Sequence, residues 1–158
     1  MAPKARIFAV ENKLAEIASQ PGGRRPEDAI RAANAKIEGV RGVSITSLVE
    51  KADQMVAVAA QGREANDVSA FGKIYDLSNA IYGLAGSFGL TALAEACFSL
   101  CDLADCFRGG ETANWPAIDV HVDGIRLLAG LGDKANAAGT DPILDGLRRV
   151  RARVMPAA

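Results

Sequence analysis

Apolar residues recur three and four positions apart along most of the chain, which is the spacing of one face of an α-helix. No segment shows the strict alternation of apolar and polar residues that is typical of a β-strand. The sequence therefore predicts an all-α protein. The apolar stripes are Ile30, Ala33, Ile37 and Val40; Ile45, Leu48, Ala52, Met55 and Ala59; Ile74, Leu77, Ile81, Leu84 and Phe88; Leu93, Cys97, Leu100, Ala104 and Phe107; Ile118, Val122, Ile125 and Ala129; and Ile143, Leu147, Val150 and Val154.

The connections between these predicted helices are short. Short connections make consecutive helices antiparallel neighbours, and long stripes of this kind are typical of helix bundles. We therefore expect an up-down antiparallel four-helix bundle between Ile45 and Ala129, with additional helices at both ends. The connections fall near residues 64–68, 89–91, 109–115 and 132–141.

The beginning of the chain has a weaker pattern. Ile7, Val10, Leu14 and Ile17 have helical spacing, and the breaker "QPGGRRP" follows them. The sequence thus predicts an N-terminal extension over residues 1–24 and a single helical domain over residues 25–158.

Composition and charge narrow the classes of partner. Hydrophobic residues make up 49% of the 158 residues and aromatic residues only 5%, which suits a core of small aliphatic side chains. The formal net charge of −1 gives no field that would attract nucleic acid. No apolar run approaches the roughly 18 residues that a membrane span needs, and no secretory signal is recognisable. We expect a cytoplasmic protein that binds neither nucleic acid nor membrane.

The stretch "SNAIYGLAGSFG", residues 78–89, carries glycines inside a predicted helix, where each costs roughly 0.5–1 kcal/mol relative to alanine. On a helical wheel Gly83 and Gly86 lie opposite the apolar stripe, whereas Gly89 ends the helix. Glycines on an outer face let another surface approach the backbone, so we interpret this side as a docking face; the alternatives are a neighbouring helix of the same chain or simple tolerance. The candidate binding residues are Tyr75, Asp76, Asn79, Tyr82, Gly83 and Gly86.

The stretch "LSNAIYGLAGSFGLTALAEACFSLCDLA", residues 77–104, resembles a histidine phosphotransfer (HPt) domain. The signature of that family is a helix reading His-x-Leu-Lys-Gly-x-Ala-x-x-x-Gly. Its glycine falls on Gly83, its small residue on Ala85 and its helix-ending glycine on Gly89, while Ile81 replaces the leucine. Leu93 and Leu100 match the helix that follows.

Two departures from this pattern decide what the resemblance implies. Asn79 stands at the position of the phosphoacceptor histidine, and Tyr82 replaces the lysine. An amide has no imidazole nitrogen to take a phosphoryl group, so the resemblance implies a degenerate HPt fold without phosphotransfer. The family's partners are receiver domains of response regulators and histidine kinases, and we expect this chain to bind one of them and modulate phosphotransfer. Chemotaxis is the first pathway to test.

Other candidate chemistry is sparse. His121 is the only histidine, and the pattern places it at the edge of the core as a hydrogen-bonding residue or, alternatively, as a phosphoacceptor. Cys97, Cys101 and Cys106 share one helix and do not converge as metal ligands. No P-loop, GxSxG or HExxH motif and no serine–base constellation is recognisable. We therefore expect no enzyme, no metal and no cofactor. A third hypothesis is a structural module that forms a homodimer through its glycine face.

Overall fold

The computed structural model describes residues 12–136 and 139–155, and every regular element in this part of the chain is helical. The prediction of an all-α protein is confirmed. The chain divides into two compact units, residues 1–36 and 37–158; the predicted domain boundary after residue 24 stays a prediction. The helices are α1 (Lys13–Ser19), α2 (Pro26–Gly39), α3 (Arg41–Ala65), α4 (Ala70–Ser87), α5 (Thr91–Arg108), α6 (Trp115–Leu131) and α7 (Asp141–Val154), with a 3-10 turn at Gly132–Asn136.

The first unit contains α1 and most of α2. The side chain of Asn12 caps α1 by accepting a hydrogen bond of 3.1 Å from the backbone N–H of Ala15. The apolar residues Leu14, Ile17 and Ile30 are all exposed in the structure. Ile7 and Val10, which the sequence assigned to the same amphipathic helix as Leu14, lie outside the described residues.

Two helices of the second unit end in the same way. Asn66 follows α3 in the left-handed conformation, with φ of 49°, and Gly89 follows α4 with φ of 69°. At the second site the N–H of Leu90 donates to the carbonyl of Ala85 at 2.9 Å, and the N–H of Gly89 donates to that of Gly86 at 3.2 Å. These are the two hydrogen bonds of a Schellman motif. The prediction that Gly89 ends its helix is confirmed.

The core of the second unit lies among α3, α4, α5 and α6. Helix α3 packs against α4 and α6, α5 packs against α4 and α6, and α7 lies on α5 and α6. These four helices bury most of their predicted apolar stripes, because a helix with one apolar face gains stability by burying that face; in α4, Leu77 and Leu84 are only partly buried. The largest fully buried side chains are Phe71, Leu48, Met55, Ile74, Ile81, Leu90, Leu93, Leu100, Leu103, Ile118, Ile125 and Leu128.

An aromatic cluster joins α4, α5 and α6 at one end of this core. The rings of Phe71 and Trp115 stack with centroids 4.6 Å apart, and Phe107 lies 5.4 Å from Phe71 on the other side. Gly62 of α3 lies against the same cluster: a Cβ at this position would be 2.7 Å from Trp115 and 2.6 Å from the Cβ of Ala70. The close approach of the helices here requires a residue without a side chain.

Among the described residues, no helix has both the length and the apolar character that crossing a membrane demands.

Candidate functional site

Helix α4 presents two different sides. The side that faces the core carries Phe71, Ile74, Ser78, Ile81 and Ala85, all of which are buried. The opposite side is exposed to solvent over more than two turns. The exposed side contains Asp76, Asn79, Tyr82, Gly83 and Gly86, five of the six candidate binding residues.

Gly83 and Gly86 lie one turn apart on the exposed side of α4. Among the described residues, no atom lies within 4 Å of the position that a Cβ would take at either glycine, beyond their own helix. Neither glycine is therefore needed for packing within the described part of the chain, unlike Gly62. Alanine at either position would favour the helix by roughly 0.5–1 kcal/mol. Packing among the described residues does not account for these two glycines.

Tyr75, the sixth candidate, is half-buried and sits at the margin of the exposed side. The guanidinium of Arg108 lies 4.9 Å from its ring centroid, in a cation–π arrangement that joins α5 to α4. Asp76 lies at the opposite margin, where it borders a shallow groove between α3 and α4 together with Lys73 and Gln61. The charged side chains of Arg108, Asp76 and Lys73 thus lie at the margins of the exposed side and not at its centre.

Phe98 on α5 belongs to the same surface, although the sequence did not predict it as a binding residue. Phe98 is 52% exposed and Tyr82 is 43% exposed, and their ring centroids lie 6.1 Å apart. The residue is off the apolar stripe of α5, so periodicity alone assigns it to solvent. We call the surface formed by Asn79, Tyr82, Gly83, Gly86 and Phe98 the docking face, after the role that the sequence predicts for this side of α4.

Charged residues border the docking face at Asp76 and, beside Phe98, at Glu95, Arg148 and Arg151, but the second half of α4 and the turn after it are uncharged. No Asp, Glu, Lys, Arg or His occurs from Leu77 to Ala94, which covers the second half of α4, its turn and the first residues of α5. The centres of protein interfaces are depleted of charge and enriched in Tyr, Phe and Met. The composition of the docking face matches that of an interface centre rather than that of an ordinary solvated helix face.

The turn between α4 and α5, beside the docking face, is held by side chains from distant parts of the second unit. The amide of Asn136 donates to the carbonyl of Gly89 at 2.6 Å and accepts from the Thr91 hydroxyl at 3.1 Å. The guanidinium of Arg41 donates to the carbonyl of Phe88 at 3.4 Å and also pairs with Asp133. These contacts fix the turn in position.

His121 is fully buried rather than at the edge of the core. Its Nδ1 lies 2.8 Å from the carbonyl oxygen of Ala117, which can only accept, so Nδ1 carries the proton. Its Nε2 then accepts from the hydroxyl of Ser99 at 3.0 Å. This pair is a serine–base contact that was not recognisable in the sequence, and the expectation that there is none was wrong. Ser99 and His121 are separated by 22 positions and come together only because α5 packs on α6.

Burial lowers the pKa of His121 below its ordinary value of 6.5, because the interior penalises the imidazolium; the charge of Arg151 lowers it further, although the Ala117 carbonyl opposes the shift. Above pH 6.5 the imidazole is neutral in both folded and unfolded chains, and its contribution to stability is fully present. Below pH 6.5 the unfolded chain binds a proton that the folded chain does not. We expect the free energy of unfolding to fall by at most about 1.4 kcal/mol per pH unit there.

The measurement is urea unfolding at a series of pH values between about 5 and 8. His121→Gln removes the titrating group, so its free energy of unfolding should lack the slope just below pH 6.5, whatever its absolute stability. An identical slope in wild type and variant would show that another group is responsible.

The three cysteines lie on α5 without a partner that would make them reactive. Cys97 and Cys101 are buried, and burial raises the pKa of both thiols. A raised pKa keeps a thiol protonated and unreactive. In the part of the chain that the structure describes, no group of three or more His, Cys, Asp or Glu residues could hold a metal ion.

No family model, curated protein or solved structure matches the chain.

Proposed function

We propose that the chain is a non-catalytic, HPt-like binding module that docks a response-regulator receiver domain or a histidine kinase and modulates phosphotransfer. The observation that carries the proposal is the position of Asn79. It lies exposed on the outer side of α4, between Tyr75 and Tyr82 in sequence and one turn from Gly83. In the family that the sequence resembles, this is the position of the phosphoacceptor on the face that meets the partner.

The pattern of helix contacts supports an HPt-like fold. Helices α3, α4, α5 and α6 follow one another through short connections, and each of the four packs on two of the others. We infer an up-down four-helix bundle from this pattern, with α7 added on α5 and α6. Such a bundle presents the middle of α4 on its surface, which is where the docking face lies.

The absence of phosphotransfer is part of the proposal. The carboxamide of Asn79 cannot form a phosphohistidine, and Tyr82 supplies no cation beside it. His121 has no exposed surface, and both of its ring nitrogens make hydrogen bonds inside the core. A phosphoryl group on His121 would need those bonds to break and α5 to move away from α6. This geometry favours the binding module over the alternative of a phosphocarrier that uses His121.

We expect the proposed module to act by binding the receiver domain and so blocking its surface. A receiver held on the docking face is not available to a phosphorylating histidine at the same time, so the module would compete with productive phosphotransfer. We place it in bacterial two-component signalling, with chemotaxis as the first pathway to test, and in the cytoplasm, where receivers and kinases are found.

Gly83→Arg is expected to abolish binding of the cognate receiver or kinase, because a long cationic side chain would stand at the centre of the face and keep a partner away from the helix backbone. The open space around Gly83 means that the fold should tolerate the change. Isothermal titration calorimetry against purified receivers and kinases of the same cell measures the affinity, and circular dichroism confirms that helicity is kept.

The matched control is Gly130→Arg. Gly130 is an exposed helical glycine of α6, also with no described atom within 4 Å of a Cβ. This variant should bind as wild type does. Binding that survives Gly83→Arg would remove the docking face from the proposal, and an absence of binding by wild type to every receiver and kinase would refute the function.

A further inference from the structure

We propose that the cleft between α5 and α7 binds a small organic monocarboxylate that has an apolar body. The carboxylate would accept a hydrogen bond from the guanidinium of Arg151, and the body would lie against Phe98 and Met155. The cleft is distinct from the centre of the docking face, although Phe98 borders both. This binding site does not depend on the proposed function.

The cleft has the size and the walls of a small-molecule site. Its volume is about 490 Å³, which is within the range that such sites occupy. Phe98 is 52% exposed and Met155 is partly exposed, so apolar surface is available to a ligand. The lining includes Glu95 and Phe98 of α5, Arg148, Arg151 and Ala152 of α7, and Met155 directly after α7.

Arg151 supplies a hydrogen-bond donor that lacks an acceptor. Its Nη2 pairs with Asp102, but its Nε is buried and has no hydrogen-bond partner among the described residues. Buried N–H groups in folded proteins are almost always paired, so this donor in the wall of a cleft indicates an acceptor from outside the chain. The Arg151 side chain is 40% exposed, and a small rotation of its guanidinium would bring the Nε–H to the cleft.

A carboxylate is the acceptor that suits this donor best. Its two oxygens match the planar fork of a guanidinium, and its charge strengthens the hydrogen bond. A lone water molecule would satisfy the N–H but would leave the apolar surfaces of Phe98 and Met155 in contact with solvent. A carboxylate with an apolar body satisfies the donor and covers those surfaces in the same complex.

The charges around the cleft restrict the ligand to a single negative charge. Arg148 is already paired with Glu95 and Asp145, and Arg151 with Asp102, so these groups together carry no net positive charge. The attraction is therefore local, between one N–H and one acceptor. A dianion such as phosphate would meet the carboxylate of Glu95 in the same cleft, and their repulsion disfavours it.

An NMR titration of the ¹⁵N-labelled full chain tests the site, with 3-phenylpropionate as the probe and 3-phenylpropionamide as its uncharged counterpart. We expect the wild type to bind the carboxylate with a Kd of about 1 mM. The amide should bind at least about tenfold more weakly, because its acceptor carries no charge. The backbone amides that shift should lie around the cleft on α5 and α7.

Two variants test the donor and the walls separately. Arg151→Lys keeps the positive charge but lacks the Nε–H, and we expect it to weaken binding of the probe by at least about tenfold. Ala152 is exposed at the cleft, so the indole of Ala152→Trp should fill the space and abolish binding. The matched control is Arg149→Lys: Arg149 is exposed on the same helix but is not part of the cleft lining, and this variant should bind as wild type does.

The proposal is overturned if the wild type shows no saturable shifts up to about 20 mM probe, or if the shifts lie away from the cleft. Equal binding of amide and carboxylate, or wild-type affinity in Arg151→Lys, also overturns it. These outcomes are separate from a failure of the proposed function, since no receiver or kinase is present. Gly83→Arg should bind the probe as wild type does, whether or not it loses a receiver.

Discussion

Replacing Gly62 by alanine is expected to destabilise the protein by at least about 2 kcal/mol. The added methyl group would lie 2.6 Å from the Cβ of Ala70 and 2.7 Å from the indole of Trp115, well inside van der Waals contact. The Cβ of Ala70 is fixed to the backbone of α4 and cannot rotate away. The ring of Trp115 is stacked on Phe71, so relief at that side requires α3 to move away from α4 and α6.

Gly86→Ala is the control, and it should change the free energy of unfolding in the opposite direction. The same methyl group there meets open space, so the only effect is the better helix propensity of alanine, and the free energy of unfolding should rise by about 0.5–1 kcal/mol. Urea unfolding followed by circular dichroism measures both variants. Equal effects of the two substitutions would contradict the packing that the structure shows around Gly62.

Phe71→Ala is expected to lower the free energy of unfolding by about 3–5 kcal/mol. Phe71 has no exposed surface and contacts the rings of both Trp115 and Phe107. Removal of its ring leaves a cavity among α4, α5 and α6 that neither neighbouring ring can fill without losing its own contacts. Unfolding in denaturant measures the change in the free energy of unfolding directly, provided that the dependence of this free energy on denaturant concentration is the same in wild type and variant.

Phe98→Ala deletes the same group of atoms at an exposed position. Because the Phe98 ring is 52% exposed, we expect the change in stability to stay below about 1 kcal/mol. A loss at Phe98 as large as that at Phe71 would mean that the ring of Phe98 is buried in the folded protein, and it would remove Phe98 from the docking face.

Local signals in the sequence were sufficient to predict the helices. Each stripe keeps a single period between breakers, and residues such as Gly89 mark helix ends through a backbone conformation that glycine adopts easily. The wheel of α4 also placed Asn79, Tyr82, Gly83 and Gly86 on the outer side, because the direction of a side chain on a helix depends only on its neighbours a turn away.

What the sequence could not predict depends on pairs of residues that are distant in sequence. Gly62 meets Trp115, 53 positions later, and no local pattern in the sequence indicates this contact. Ser99 meets His121 through the packing of α5 on α6. Phe98 belongs to the docking face only because its ring on α5 contacts that of Tyr82 on α4. Periodicity shows that Phe98 is off the core stripe, but it does not show which other exposed residue lies beside it.

The hydrogen bonds of Asn136 and Arg41 to the α4–α5 turn have a consequence for the thermodynamics of association. A loop that must order on binding loses conformational entropy at that moment, and the loss weakens the complex. Here the carbonyls of Phe88 and Gly89 are already bonded to side chains from elsewhere in the unit, so the turn becomes ordered during folding. We therefore expect the proposed docking face to bind as a rigid body, with an affinity governed by the surfaces that are buried rather than by the ordering of a mobile segment.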